Sequence, residues 1–137
     1  MRHLDASPLL RLALRGNALF STVSGLTLLL AAAALGPRLG LPVLSLRVVG
    51  AVLLPFAWGL WNNSRRAVIS RAEARLAVLL DLSWVAGSAA LVFGGLWPLT
   101  PAGRWTVLGV ADVVLVFAFL QTVGLRRART TPSTAGL

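Results

Sequence analysis

The sequence contains no cysteine, no lysine and a single histidine. Without cysteine, disulfides, thiol redox chemistry and Cys-ligated metal sites are excluded. The histidine, His3, lies in the N-terminal tail outside every apolar segment, so we expect neither a Ser–His–Asp triad nor a haem with a transmembrane His ligand. Walker-type and Gly-rich nucleotide motifs are also missing. We therefore expect no enzyme: no catalytic residue, no cofactor and no metal site.

Charged residues are scarce as well. They make up 12% of the 137 residues, whereas hydrophobic residues make up 57%. Soluble domains carry about 25% charged residues, which they need for a polar surface. The apolar residues here are also grouped into long uninterrupted runs. Both features indicate an integral membrane protein whose main partner is the lipid bilayer.

Four apolar runs divide the chain, each long enough to cross a hydrocarbon layer of about 30 Å. Backbone groups in lipid must bond within their own segment, so each run is predicted to be a helix. The sequence predicts an all-α, polytopic four-helix bundle forming one domain over residues 1–129. Its halves show a similar order of features, which is compatible with two related helical hairpins. The predicted helices cover residues 17–35, 43–61, 76–97 and 105–125.

The segments that flank these runs carry helix signals. Residues 1–15 form a basic interfacial lead-in, either a separate short helix or one continuous with the first span. The first run is too long for a signal-peptide h-region. Ser70 and Glu73 form a capping box before the third run, and Thr100 before Pro101 resembles another cap. Two Pro and two Gly residues in 36–42 predict a sharp reversal, and the tail 130–137 is predicted to be disordered.

All thirteen basic residues are arginine, and their distribution predicts an orientation. Ten would lie on one side of the membrane and three on the other, which by the positive-inside rule places both termini in the cytoplasm. The net charge of +9 could also suggest nucleic-acid binding. We disfavour that interpretation and expect no nucleic-acid partner, because the arginines sit where membrane topology requires them.

Two acidic residues interrupt the apolar runs. A charge at the centre of a transmembrane helix costs about 2.5–3.5 kcal/mol on insertion scales. Asp81 lies near the predicted inner boundary and could reach water or headgroups. Asp112 lies deeper, and Arg47 is expected at a similar depth in the second helix. The simplest hypothesis is an Arg47–Asp112 ion pair between helices two and four; the alternative is that Asp112 transfers protons or cations.

Other polar residues are grouped on single helix faces. Asn17 and Ser21 share one face of the first helix, and Asp81, Trp84 and Ser88 share one face of the third. Small and polar residues of this kind commonly mediate packing between transmembrane helices. The other interpretation is a polar cavity lined by Asn17, Asp81, Trp84 and Ser88.

Two segments carry a resemblance to known proteins. Residues 17–25 read NALFSTVSG and residues 81–88 read DLSWVAGS. Together they resemble a group of short bacterial four-helix membrane proteins with no known activity, over roughly residues 11–127. The resemblance implies topology alone. We expect a multi-pass location in the bacterial cytoplasmic (inner) membrane. The resemblance supplies no substrate and no site residues.

Two functional classes follow from the sequence. The first is a non-catalytic membrane subunit or scaffold that acts through helix packing with itself, as a homo-oligomer, or with a membrane protein partner. The second is a small oligomeric transporter or channel that uses Asp112 or Asp81. Four helices enclose little volume, so a transport pathway would need an interface between copies.

Overall fold

The computed structural model describes residues 8–130, which form four helices and no strand. The helices are α1 (Pro8–Leu39), α2 (Val43–Arg65), α3 (Arg71–Gly94) and α4 (Pro101–Thr130). Each is long and apolar enough to cross a membrane. The predicted all-α four-helix bundle is confirmed, and the chain is a multi-pass membrane protein. His3 and residues 131–137 of the tail lie outside the described residues.

The helices continue beyond the apolar runs. α1 has 32 residues and begins at Pro8, so the basic lead-in is continuous with the first span. It also continues through Pro37 to Leu39, and the predicted reversal is confined to residues 40–42. Gly40 has φ 75°, a left-handed conformation that glycine adopts without a Cβ clash. α3 ends at Gly94, earlier than the predicted residue 97, because Gly95 terminates it in the left-handed region.

Both interior helix caps are present. The Thr100 hydroxyl accepts a hydrogen bond from the backbone N–H of Gly103 at 2.9 Å, and the Ser70 hydroxyl accepts one from that of Glu73 at 3.3 Å. A full capping box would also have the Glu73 side chain accept from the Ser70 backbone N–H, and that bond is replaced here. The Ser70 N–H donates to the side-chain oxygen of Asn63 at 2.8 Å, and the Glu73 carboxylate instead forms an ion pair with Arg66.

The four helices run antiparallel in sequence order around a common axis. α1 packs closely between α2 and α4, and α3 packs mainly against α4. α2 and α3 touch little, and an apolar groove of about 210 Å³ separates them. α1 and α3 are therefore diagonal partners, as are α2 and α4. The groove is lined by Pro55, Phe56, Gly59, Leu60, Asn63, Glu73, Leu76, Ala77 and Leu80.

One end of the bundle gathers most of the arginines and is called the Arg-rich end here. It contains the start of α1, the end of α2, the start of α3 and the end of α4. Arg11 donates hydrogen bonds to the backbone oxygens of Ser64 and Arg66, and Arg71 donates to that of Ala128. These arginines neutralise and cover carbonyls left free at helix C-termini. They hold the α2–α3 connection and the end of α4 in place.

The outer surface is apolar along most of its length. Large hydrophobic side chains face outward on every helix; examples are Leu30 (84% exposed), Trp58 (66%), Phe93 (78%) and Phe119 (65%). A soluble protein would bury these groups, whereas in a bilayer they contact acyl chains.

Candidate functional site

The interior of the bundle contains a buried acidic residue. Asp81 lies on the inward face of α3, together with Ala74, Ala77 and Ser88, and its residue surface is only 4% exposed. The expectation that Asp81 reaches water or headgroups is wrong. Its helix turns it toward the bundle axis, where α1 and α4 approach it.

Four side chains form one hydrogen-bonded group, called here the Asp81 cluster: Asn17 and Ser21 of α1, Asp81 of α3 and Gln121 of α4. The Asn17 amide nitrogen donates to Asp81 Oδ2 at 2.8 Å, and the Gln121 amide nitrogen donates to the same oxygen at 2.9 Å. The Asn17 amide nitrogen also donates to the side-chain oxygen of Gln121 at 3.3 Å. The Ser21 hydroxyl donates to the Asn17 oxygen at 3.3 Å.

Three of the four hydrogen bonds in the Asp81 cluster lead toward the carboxylate, and the fourth runs from Asn17 to Gln121. Ser21 donates to Asn17, and both amides donate to Asp81, so each donor is polarised by the next. Buried polar groups are tolerated in a membrane interior when they bond to one another across helices. The cluster therefore joins three of the four helices, including the diagonal pair α1 and α3, which otherwise touch little.

The structure brings together some of the residues that were predicted to line a polar cavity. Asn17 and Asp81 are in direct contact, and Ser88 is buried two turns further along α3. Trp84 is half-buried between them. Its indole N–H is enclosed and has no hydrogen-bond partner among residues 8–130. Both amide donors to Asp81 use its Oδ2 atom.

The expected ion pair between Arg47 and Asp112 is absent from the structure. Both residues are exposed, on helices α2 and α4 that lie diagonally across the bundle. Arg66 and Glu73 form a side-chain ion pair at the Arg-rich end. The prediction was wrong because similar depth does not ensure a shared face: α1 and α3 lie between the two residues. Both charges instead face outward from the bundle.

Two structurally important residues were missed from the sequence. Gln121 is fully buried and provides one of the two donors to Asp81. Asn63 is 1% exposed and bonds both the N–H and the C=O of Ser70. An available signal existed for Gln121, because an uncharged amide in the fourth apolar run needs a partner as a carboxylate does. Asn63 gave no comparable signal, since it sits among polar residues at a helix end.

No three His, Asp or Glu side chains approach one another closely enough to hold a metal ion within the described part of the chain. The Asp81 cluster offers one carboxylate, with amides and a hydroxyl around it. Comparison with protein-family models, with curated proteins and with solved structures found no match.

Proposed function

We propose that this chain is a non-catalytic membrane subunit or scaffold that acts by helix packing with itself or with a partner. The observation that carries the proposal is the use of the buried polar groups. The amides and the hydroxyl of the Asp81 cluster direct their hydrogen bonds to Asp81 or to one another. The buried carboxylate therefore serves to hold helices together.

The outer surface supports the same proposal. Arg47 and Asp112 are charged, lie inside apolar helices and face away from the bundle. A charge that faces hydrocarbon is costly, and the cost is removed when another helix supplies a partner. Apolar side chains and small residues make up most of the surface around them, and they suit close contact between helices.

The proposed location is the bacterial inner membrane with both termini in the cytoplasm. The ten-to-three distribution of arginine supports this orientation, because cytoplasmic segments retain positive charge during insertion. The resemblance noted for residues 17–25 and 81–88 supports the bacterial assignment.

A second candidate function is a small oligomeric transporter or channel that uses Asp81 or Asp112. The observation in its favour is the Trp84 indole N–H, which is enclosed without a hydrogen-bond partner among residues 8–130 and lies one helical turn from Asp81. A water molecule could accept a hydrogen bond from this N–H. We rank this candidate second because the amides of Asn17 and Gln121 already fill the hydrogen-bonding capacity of Oδ2.

Two measurements on the full chain test the proposed function. In native gels of mildly solubilised membranes, the tagged protein should migrate as an assembly larger than its 14.4 kDa monomer. In proteoliposomes with an imposed pH or cation gradient, it should carry no more flux than empty vesicles. Flux that disappears in Asp81→Asn or Asp112→Asn would establish the transport function instead.

A further inference from the structure

We propose that copies of this chain associate head to tail in the membrane, with Arg47 of one copy paired to Asp112 of the next. This rests on the proposed function and names its partner as a second copy. The observation behind it is that two side chains of opposite charge face outward from the apolar helices and have no ionic partner within the described chain.

The two charges lie at comparable depths. Their depths can be compared along α1, because this helix contacts both α2 and α4. A Cβ on Gly50 would touch Gly25 and Leu29 of α1, so Arg47, one turn further from the Arg-rich end, lies near the level of residue 30. The Gln121 side chain accepts a hydrogen bond from Asn17, so Asp112, earlier in α4, lies near the level of residue 26. The difference is about 6 Å at ~1.5 Å per residue, which an extended arginine side chain spans.

The directions of the two residues define the geometry of the contact. The groove toward α3 lies along Phe56, Gly59 and Asn63, and Arg47 is on the opposite side of α2. Asp112 lies on α4 away from Phe117, which faces α1, and away from Ala118, which is buried. The two charged groups therefore face outward from diagonally opposite helices.

This arrangement favours a heterologous contact. A twofold dimer would have to bring both residues of one copy to the same interface, which diagonal helices cannot do. A head-to-tail contact needs Arg47 on one side of each copy and Asp112 on the other, and it can repeat to close a ring or extend a row. All copies share one orientation in the membrane, so the matched depth is preserved at every contact.

The surroundings of Asp112 suit a close approach. Gly109 lies one turn away on the same outward side of α4, and a Cβ there would meet no atom of the chain within 4 Å. Next to Arg47, Ala51 is small and also exposed. Low side-chain volume beside each charge lets a neighbouring helix come near, so the guanidinium can reach the carboxylate in a region without water.

Cysteine cross-linking tests the contact directly, because the native chain contains no cysteine. The variant with both Ala51→Cys and Gly109→Cys, treated in membranes with a short thiol cross-linker, should give a ladder of dimers, trimers and larger species. Chains carrying either substitution alone are the matched controls and should remain monomeric. Mixing the two single variants should give dimers only. A ladder from one single variant, or none from the double variant, overturns the proposal.

Charge exchange tests the ion pair within that contact. Asp112→Asn and Arg47→Gln should each lower cross-linking yield, by roughly tenfold or more at limiting protein density. Asp112→Arg should lower it further, and adding Arg47→Asp in the same chain should restore it. Yields unaffected by these changes would overturn the pairing while leaving helix packing, and hence the proposed function, in place. Gradient-driven flux would instead remove the proposed function.

Discussion

At the scale of single residues, the burial of Asp81 and Asp112 is the reverse of what their positions along the helices suggested. Asp81 lies near the start of its apolar run and is buried. Asp112 lies deeper in its run and faces outward. The depth of a residue along a helix can be counted from the sequence, but the direction in which its side chain faces cannot. The lipid-facing and inward sides of these helices are equally apolar, so hydrophobic periodicity carries little information about direction.

Removing the central carboxylate should destabilise the bundle. Asp81→Leu leaves the amide donors of Asn17 and Gln121 without their acceptor, so we expect the free energy of unfolding in detergent to fall by about 1–3 kcal/mol. Asp81→Asn should lose about 1 kcal/mol or less, since its amide oxygen can still accept both bonds. Ser83→Leu, an exposed polar position on the same helix, is the control and should change little. If Asp81→Leu unfolds no more easily than the native chain, the Asp81 cluster has no structural role.

At the scale of helices, α1 and α2 form the closest contact in the structure. Gly25 and Gly50 face each other, and a Cβ on Gly50 would lie 2.7 Å from the backbone oxygen of Gly25. The sequence shows a glycine in each helix, and helical spacing places Gly25 on the same face of α1 as Asn17 and Ser21. That they oppose one another depends on the register between helices, which no pattern within a single helix specifies.

The Gly25–Gly50 contact yields a paired prediction. Gly50→Ala should destabilise the protein by about 1–3 kcal/mol, because the added methyl group forces the two helices apart. Gly59→Ala is a matched control on the same helix, since a Cβ there meets nothing within 4 Å. It should be neutral or stabilising by up to about 1 kcal/mol through better helix propensity. Thermal unfolding in detergent distinguishes the two, and equal effects would argue against the close crossing.

The connection between α2 and α3 depends on a side chain within α2. Asn63→Ala removes both hydrogen bonds to the backbone of Ser70 in a buried position, so a loss of about 1–3 kcal/mol is expected. Ser70→Ala should cost about 1 kcal/mol or less, because water can replace an exposed cap. Asn62→Ala, which alters a neighbour without a hydrogen bond to the connection, is the control. A loss for Ser70→Ala that exceeds the loss for Asn63→Ala would contradict this order.

At the scale of the whole molecule, composition was sufficient for the architecture. Four apolar runs can satisfy their backbones in lipid only as helices, so helix number and antiparallel order followed directly. Exact ends did not, because helices continue past the apolar runs, as α1 does at Pro8 and at Leu39. The arrangement around the axis also could not be derived, since short connections allow several neighbours for each helix.

The arginines of the Arg-rich end have two separate explanations, hydrogen bonding to helix ends and the positive-inside rule. The orientation of the chain in the membrane distinguishes them. Arg11 and Arg71 bond backbone carbonyls there, so part of the arginine content serves the fold whichever side that end occupies. Arg75 and Arg126 are exposed and have no such hydrogen bond, and the positive-inside rule accounts for them if the end is cytoplasmic. Reporter fusions after Arg66 and after the C-terminal residue should therefore read cytoplasmic.

A fusion at Leu39 should read periplasmic, and labelling of the intact chain provides a check that involves no truncation. Ala67→Cys, in the α2–α3 connection, should react with an impermeant maleimide only after cells are permeabilised. Leu96→Cys, in the exposed connection at the other end, should react in whole cells. The reverse pattern would place the Arg-rich end outside. In that case the arginines would be explained by their bonds to helix C-termini, and the charge rule would not govern this chain.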